Sequence, residues 1–444
     1  MKAKIIIIVA VITSFTAFSQ KKWTLKECVN YALENNISIK QRQLTVENQV
    51  QDAIISKGNF LPDLSFSSNG RFNSGLTPNI SGVLSKTNNF NSSFTLGTRG
   101  IIFNGFRNLN SYKQSKLGIE SGRLDLKIIQ DNISLNVINA YLNVLFAKEN
   151  LAVAKTQFEI SNKQIERARE QFKAGVRPKG ELLNTESTAA NDAQTVVSLE
   201  NTLDLALLNL AQLLQIDPEG FDVAILEVNS PSMAILYDNP KVVYEKALNN
   251  RPEIKRATIE IERAILGIDI AKGAFLPSLS YSVNLGSSFY NQFNNLLPGR
   301  SNKPFFKQVL KDRVQYGAGV SLTIPIFNKF QTRSRVAQSV INKEQSSLQL
   351  DNEKLRLQQT IQQAFLDAVS SAKTYEAAKK SLVAQKEAFK NAQERYNYGA
   401  MTLFDFDQVR TRLVNAEGAI IRAKYDYVFK TKVLKFYYGE SILE

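Results

Sequence analysis

From Ile133 the apolar residues fall into a 4-3 rhythm: Ile133, Val137, Ala140, Val144, Ala147, Leu151, Ala154, Phe158, Ser161, Ile165, Ala168 and Phe172. A sustained period of about 3.5 residues marks helices packed side by side in coiled-coil fashion. The stretch from Gly105 to Phe172 holds no proline. It therefore predicts one unbroken helix, roughly 100 Å long at about 1.5 Å per residue. Alternate seam positions are often alanine, so a neighbouring backbone must come close. A second row, Leu135, Ile138, Leu142 and Leu145, lies beside the first and suits a helix flanked on both sides, as in a wall of helices. Periodicity on its own favours a simpler alternative, a long two-stranded coiled coil.

The same pattern occurs twice. A shift of 224 positions gives a second seam: Leu357, Ile361, Ala364, Ala368, Ser371, Tyr375, Ala378, Leu382, Gln385, Phe389, Ala392 and Tyr396. That register holds without a gap from Phe103 (matching Phe327) to Gly175 (matching Gly399). Upstream, a shift of 215 places Lys57-Gly58-Asn59-Phe60-Leu61-Pro62 on Lys272-Gly273-Ala274-Phe275-Leu276-Pro277. Internal duplication sets the architecture. The difference between the two shifts assigns nine inserted residues to the second copy, placed in the polar segment Asn291 to Val314.

Between the helices the period changes to two. In the first copy Leu64, Phe66 and Phe72 alternate with Ser65, Asn69, Arg71 and Asn73; a loop is expected from Gly75 to Asn89, and Phe94, Leu96 and Ile102 resume on one side. In the second, Tyr281, Val283, Leu285 and Phe289 alternate with Ser280, Ser282, Asn284 and Ser288. The last strand is expected to carry Tyr316, Ala318, Val320, Leu322, Ile324 and Ile326 on its apolar side. Strands of about 10 to 13 residues, apolar on one face and small and polar on the other, fit a membrane β-barrel. A half-buried soluble sheet gives the same alternation.

The helical starts and stops are legible too. Thr24 and Glu27 form a capping box, with an interruption near Asn35 and Asn36; Asn239-Pro240 opens the second copy. The domain reading is a leader at 1–20, then a first repeat at 21–215 with a strand pair at 63–103 and a helical hairpin at 105–215. A linker follows at 216–238. The second repeat spans 239–444, with a strand pair at 278–327 and a hairpin at 328–438.

Composition narrows the function. The 444 residues are 43% hydrophobic and 22% charged, which excludes a disordered chain and a helical membrane protein. There is no His and a single Cys, Cys28. A His-based catalytic constellation is thus impossible, no Cys/His metal site is expected, and no cofactor motif is visible. The formal charge is +14, but Lys163, Arg167, Arg169 and Lys173 are interspersed with Glu and Gln along helices. This reads as a solvated face, without a nucleic-acid partner. Lys2 and Lys4, the apolar run from Ile5 and the small residues near Ser19 form an export leader.

Export and the paired hairpins tip the choice towards a barrel. An open sheet edge in lipid leaves backbone groups unsatisfied, and the smallest closed membrane barrels have about eight strands. Four strands per chain cannot close alone, so copies must pool them in a ring. Eight strands leave an interior filled by side chains, whereas twelve leave room for a passage. The small polar inner face favours twelve, from three copies.

The chain at this point resembles the TolC family of outer-membrane channel proteins. The resemblance covers nearly all of the expected mature chain. It rests on the duplication, the Phe-Leu-Pro-x-Leu entry to each first strand, Ile324-Pro325-Ile326-Phe327 after the second, and the two helix-turn-helix tips. The first copy departs from it, with Ile101 where Pro325 stands. The resemblance implies a mainly α-helical chain with a small β part, and a homotrimer with a 12-stranded barrel in outer-membrane lipid and a periplasmic α-helical tunnel. It implies a passive exit duct served by a periplasmic adaptor and an inner-membrane pump, proton-driven (RND) or ATP-driven (ABC), for drug efflux or protein secretion. A structural periplasmic coiled-coil or adaptor-type protein is the alternative, though two equivalent halves argue against it.

The tips are Phe172-Lys173-Ala174-Gly175-Val176-Arg177-Pro178 and Tyr396-Asn397-Tyr398-Gly399-Ala400-Met401-Thr402. Each glycine suits the left-handed residue that ends a helix. By resemblance Gly175, Val176, Gly399, Ala400 and Met401 meet the adaptor. An acid follows each glycine by six positions, Glu181 and Asp405, where a helix N-terminus favours it without any further role. By resemblance Asp405 contributes to an acidic ring at the periplasmic mouth. Gln408 stands where the family has a second acid, and Met401 where it has an arginine, which here is Arg177 of the first copy. A closed-state latch is expected to use Arg177, Glu181, Tyr396 and Asp405.

Overall fold

The computed structural model describes residues 22–78, 82–225, 239–294 and 303–440. The expected leader at 1–20 lies outside them, as do residues 226–238 of the expected linker. In chain order the elements are β1 (Lys22–Trp23), α1 (Leu25–Asn35), α2 (Ile37–Gly58), β2 (Asp63–Pro78), β3 (Leu84–Phe103), α3 (Arg107–Lys173), α4 (Lys179–Leu214) and β4 (Asp222–Val223). The second half adds α5 (Pro240–Asn250), α6 (Pro252–Gly273), β5 (Ser278–Gln292), β6 (Gln315–Thr323), α7 (Gln331–Asn397) and α8 (Leu403–Tyr438).

The duplication is exact in helix length. α1 and α5 have 11 residues, α2 and α6 have 22, α3 and α7 have 67, and α4 and α8 have 36. It extends to the backbone, even where side chains differ. Gly105 and Lys329 match at φ 70° and 54°, Phe106 and Phe330 at 61° and 62°, and Gln215 and Gly439 at 60° and 97°. Positive φ costs a non-glycine residue about 1–3 kcal/mol, so these turns are imposed by their surroundings. At Gly105 a side chain is also excluded, because a Cβ would collide with the carbonyl of Gly273.

The chain divides into two compact units. One comprises Thr45–Arg123 and Arg256–Leu350 and contains the four-stranded sheet. Its order is β2-β3-β5-β6 and every neighbouring pair is antiparallel. The register pairs Phe66 with Leu96, Leu96 with Leu285, Thr98 with Val283, and Tyr281 with Val320. Leu64, Phe66, Leu96, Val283, Leu285 and Val320 therefore share one face, and Ser65, Thr95, Ser282, Asn284 and Ser321 share the other. The end strands β2 and β6 are exposed along their whole length.

The strands differ in length from the expected 10 to 13 residues. They run 16, 20, 15 and 9 residues. Most of the expected loop at Gly75–Asn89 is strand, because Asn73, Ser74 and Thr77 bond across to Asn89, Asn88 and Thr87 in the ladder. β6 stops at Thr323, short of the expected Ile324 and Ile326. Pro325 supplies no backbone N–H there, and it restricts the residue before it.

The second unit comprises Met1–Leu44, Leu124–Lys255 and Asp351–Glu444. Its core joins Val137, Ile138, Tyr141, Leu142, Val144 and Leu145 of α3 to Cys28, Val29 and Ala32 of α1, and to Leu210, Ala211 and Leu214 of α4. Both apolar rows of α3 are thus used. β1 and β4 form a two-residue parallel pair, of which β4 lies in the segment 216–238 expected to be linker. Tyr141 accounts for it: its buried hydroxyl donates to the Ala224 carbonyl (2.6 Å) and lies 3.2 Å from that of Trp23, while Lys148 reaches Asp222 and the Val223 carbonyl (2.8 Å). Cys28 is fully buried, and burial pushes its thiol up to about 12, so it is a packing residue and a poor nucleophile.

Candidate functional site

Each long helix ends in the same way. After α3 the Gly175 N–H bonds back to the Phe172 carbonyl (3.0 Å) and the Val176 N–H to that of Gln171 (2.9 Å). After α7 Gly399 bonds to Tyr396 (3.1 Å) and Ala400 to Arg395 (2.8 Å). These paired bonds form a Schellman motif, which needs a left-handed residue. Gly175 and Gly399 provide it at φ 70° and 74°. The returning helices start differently. At α8 Thr402 accepts from the Asp405 N–H (3.2 Å) and donates to the Asp405 carboxylate (2.7 Å). At α4 the cap position is Pro178, whose side chain makes no such bond.

That difference frees the Glu181 carboxylate for other partners. Its Oε1 accepts from Arg177 Nη1 (2.8 Å) and from the Tyr396 hydroxyl (3.0 Å). The Arg177 guanidinium lies 5.3 Å from the Tyr396 ring centre. Tyr396 stacks on Phe406 at 4.9 Å, and Phe406 packs against Phe389 at 5.6 Å. Burial first, then the Glu181 charge, pushes the Tyr396 hydroxyl up to about 12. It is therefore a proton donor at any physiological pH. The bond ties the end of α7 to the start of α4, from opposite copies of the repeat.

Three of the four expected latch residues thus meet in one cluster. Asp405 does not join them within the chain, because it is engaged by Thr402 at its own helix start. It lines an open groove of about 890 Å³ between the two tips, together with Arg177, Glu181, Met401, Gln408 and Arg412. Gly399 and Ala400 border that groove, while Gly175 and Val176 are exposed at the first tip.

Sequence reasoning missed a second polar cluster, further from the tips. Arg410 of α8 is 5% exposed. Its Nη1 donates to Ser161 Oγ of α3 (2.8 Å), and its Nη2 bonds to Asp192 of α4. Ser161 in turn lies 2.5 Å from the same Asp192 oxygen. One guanidinium so fastens three helices. Asp407 stands near it: burial, above all, raises its pKa, with Arg410 opposing and Asp192 adding to the rise. The hint in the sequence was Ser161, a hydroxyl in an apolar seam. Its partners lie 31 and 249 positions away, beyond any local pattern.

A family model described as outer membrane efflux protein matches residues 28–214 and 243–440. The chain belongs to that family. Its two matched segments are the two copies of the repeat. The outer membrane efflux protein BepC of Brucella suis biovar 1 (strain 1330) is 19% identical over 96% of this chain and 86% of that protein. Outer membrane protein TolC of Escherichia coli (strain K12) is 22% identical over 60% of this chain and 53% of that protein. Among solved structures, the Campylobacter jejuni CmeC outer membrane channel superposes with a TM-score of 0.78 at 21% identity, covering 94% of this chain and 87% of that one. VceC from Vibrio cholerae gives 0.77 at 14% identity, with 94% and 96% covered. As a member of this family of channel proteins, the chain is an outer-membrane exit channel for efflux. The alternative of a periplasmic coiled-coil or adaptor-type protein is not favoured.

Proposed function

We propose that three copies assemble into one duct, with a 12-stranded barrel across the outer membrane and a helical tunnel in the periplasm. The observation that carries this reading is the four-stranded sheet with β2 and β6 exposed along both edges. Open edges are not tolerated in lipid, and a β6-to-β2 pairing between copies is heterologous and closes as a ring. The duct works with a periplasmic adaptor and an inner-membrane pump of the proton-driven or ATP-driven kind. The tips around Gly175, Val176, Gly399, Ala400 and Met401 face the adaptor. Arg177, Glu181 and Tyr396 hold the periplasmic mouth closed. Three Asp405 carboxylates, brought together by the threefold axis, narrow it; Gln408 adds hydrogen-bonding capacity there without charge.

The test is reconstitution. Detergent-solubilised protein should run as a heat-modifiable trimer and insert into planar bilayers with a discrete conductance. A monomer that stays in the aqueous phase overturns the reading. Pull-down from native membranes, with mass identification of the co-purifying adaptor and pump, distinguishes drug efflux from protein secretion.

A further inference from the structure

Between β5 and β6 the chain folds a helical segment that the sequence pattern did not predict. A helical turn at Phe305–Lys307 runs into a wider turn at Gln308–Asp312. It is fastened to the sheet by two devices. Gln308 is 2% exposed; its amide accepts from the Tyr290 N–H (3.2 Å) and donates to the Tyr290 carbonyl (3.0 Å), standing in for a strand. Phe305 packs on Phe94 and Phe289 with ring centres 5.9 and 5.0 Å apart, and Ser287 Oγ donates to the Val309 carbonyl (2.5 Å). Phe94, Ser287 and Phe289 stand on the same face as Leu96 and Leu285. The segment therefore lies over the apolar face of the sheet, at the end of β5 away from α6.

Its outward side is as ordered as its inward side. Phe306 and Leu310, one turn apart, are 72% and 71% exposed. Lys307 and Lys311 repeat the same spacing beside them and are exposed. Asp312, the carboxylate of the segment, is taken by Lys303 at 2.7 Å. Among the described residues no carboxylate lies within ion-pair distance of Lys307 or Lys311. Lys307 and Lys311 feel the Asp312 charge without pairing to it. An apolar pair beside a cationic pair that makes no direct ion pair, held against a lipid-facing sheet surface, matches the boundary of a bilayer. There apolar side chains enter the acyl region and ammonium groups meet headgroup phosphates.

We propose that this segment is a lipid clamp: Lys307 and Lys311 bind the phosphate groups of outer-leaflet lipids while Phe306 and Leu310 insert beneath them. The proposal rests on the channel reading, which turns the apolar sheet face to lipid. Gln308 and Phe305 anchor the segment; K307Q/K311Q touches neither, whereas F306S/L310S also removes the edge contact of Phe306 with Phe305 (5.3 Å).

The experiment places the full-length trimer in nanodiscs of phosphatidylcholine, alone or mixed with phosphatidylglycerol, and counts retained lipids by native mass spectrometry. The native protein is expected to retain phosphatidylglycerol in preference. The double variant K307Q/K311Q should lose that preference, by roughly fivefold per lysine. F306S/L310S should weaken retention of both lipids while keeping the preference. If the native trimer inserts but holds both lipids alike, or if K307Q/K311Q keeps the preference, the clamp is wrong and the channel reading stands. If the native protein does not insert at all, both fall.

Discussion

Arg410 and Asp192 are 218 positions apart in the chain and form a buried ion pair that joins α8 to α4. Both side chains are well shielded, at 6% and 19% exposure, and Ser161 completes the set from α3. Removing one member of such a pair strands the other without water. Arg410→Ala should therefore destabilise the helical unit by about 3–5 kcal/mol, read from denaturant midpoints in detergent. The double change Arg410→Met with Asp192→Leu should recover much of that loss, since replacing both charges by apolar groups is often neutral or better. A double variant no more stable than Arg410→Ala would contradict this account.

Asp407 supplies a pH dependence with a defined sign. Its folded pKa is raised, chiefly by burial, so the folded chain takes up a proton more readily than the unfolded chain. The carboxylate form thus costs stability at neutral pH. That cost is relieved as pH falls through the folded value towards the ordinary aspartate range. Asp407→Asn should raise the melting temperature at pH 7 and flatten its rise on mild acidification. Parallel melting curves for the two proteins between about pH 7 and pH 4 would show that Asp407 is not the source.

The Tyr396–Glu181 bond, 3.0 Å long and reinforced by Arg177 at 2.8 Å, predicts a gating effect. A hydrogen bond to a charged group contributes about 1.5–3 kcal/mol. Losing it should shift a closed-to-open ratio by roughly tenfold or more. Tyr396→Phe and Arg177→Ala should each increase mean single-channel conductance. Asp405→Ala should act separately, by weakening the start of α8 and thinning the proposed acidic ring. If Arg177→Ala and Asp405→Ala both leave conductance unchanged, the latch has been misplaced.

The tip glycines predict a cost without a clash. Nothing lies within 4 Å of a Cβ built on Gly175 or Gly399. Any effect of alanine there is the left-handed backbone alone, about 1–2 kcal/mol per site. Gly175→Ala and Gly399→Ala should lower helical-unit stability by that amount and, on the proposed adaptor contact, weaken adaptor capture in pull-downs. Asparagine, which tolerates this conformation, should cost less at either position.

The seams were legible because a heptad pattern is a local property. Val137, Ala140, Val144, Leu151, Ala154 and Ala168 are buried where the rhythm placed them, and Leu357, Ile361, Ala364 and Tyr375 repeat it. The helix break near Asn35 and Asn36 was legible for the same reason, and Arg251 interrupts the second copy at the matching point. Strand extent was not. Asn88, Asn89 and Thr87 look like loop residues, yet cross-strand polar bonds hold them in a ladder. The parallel pair of β1 with β4 joins residues 200 positions apart, and the bonds that hold it come from Tyr141 and Lys148 of α3, far from both in the chain. Of the site, the tip glycines and their acids could be read from spacing, whereas the Arg410 hub is made wholly by tertiary packing.

One consequence lies in the unequal ends of the sheet. β6 has nine residues and β2 has sixteen. In the proposed ring of three chains, each β6 could seal only a part of the neighbouring β2, and the remainder of that hairpin would stand clear of the seam. Bare amide edges of this kind belong in water. The hydrocarbon layer must then coincide with the short sealed belt, and the mouth on the cell exterior would be crenellated, with three upright merlons and gaps between them.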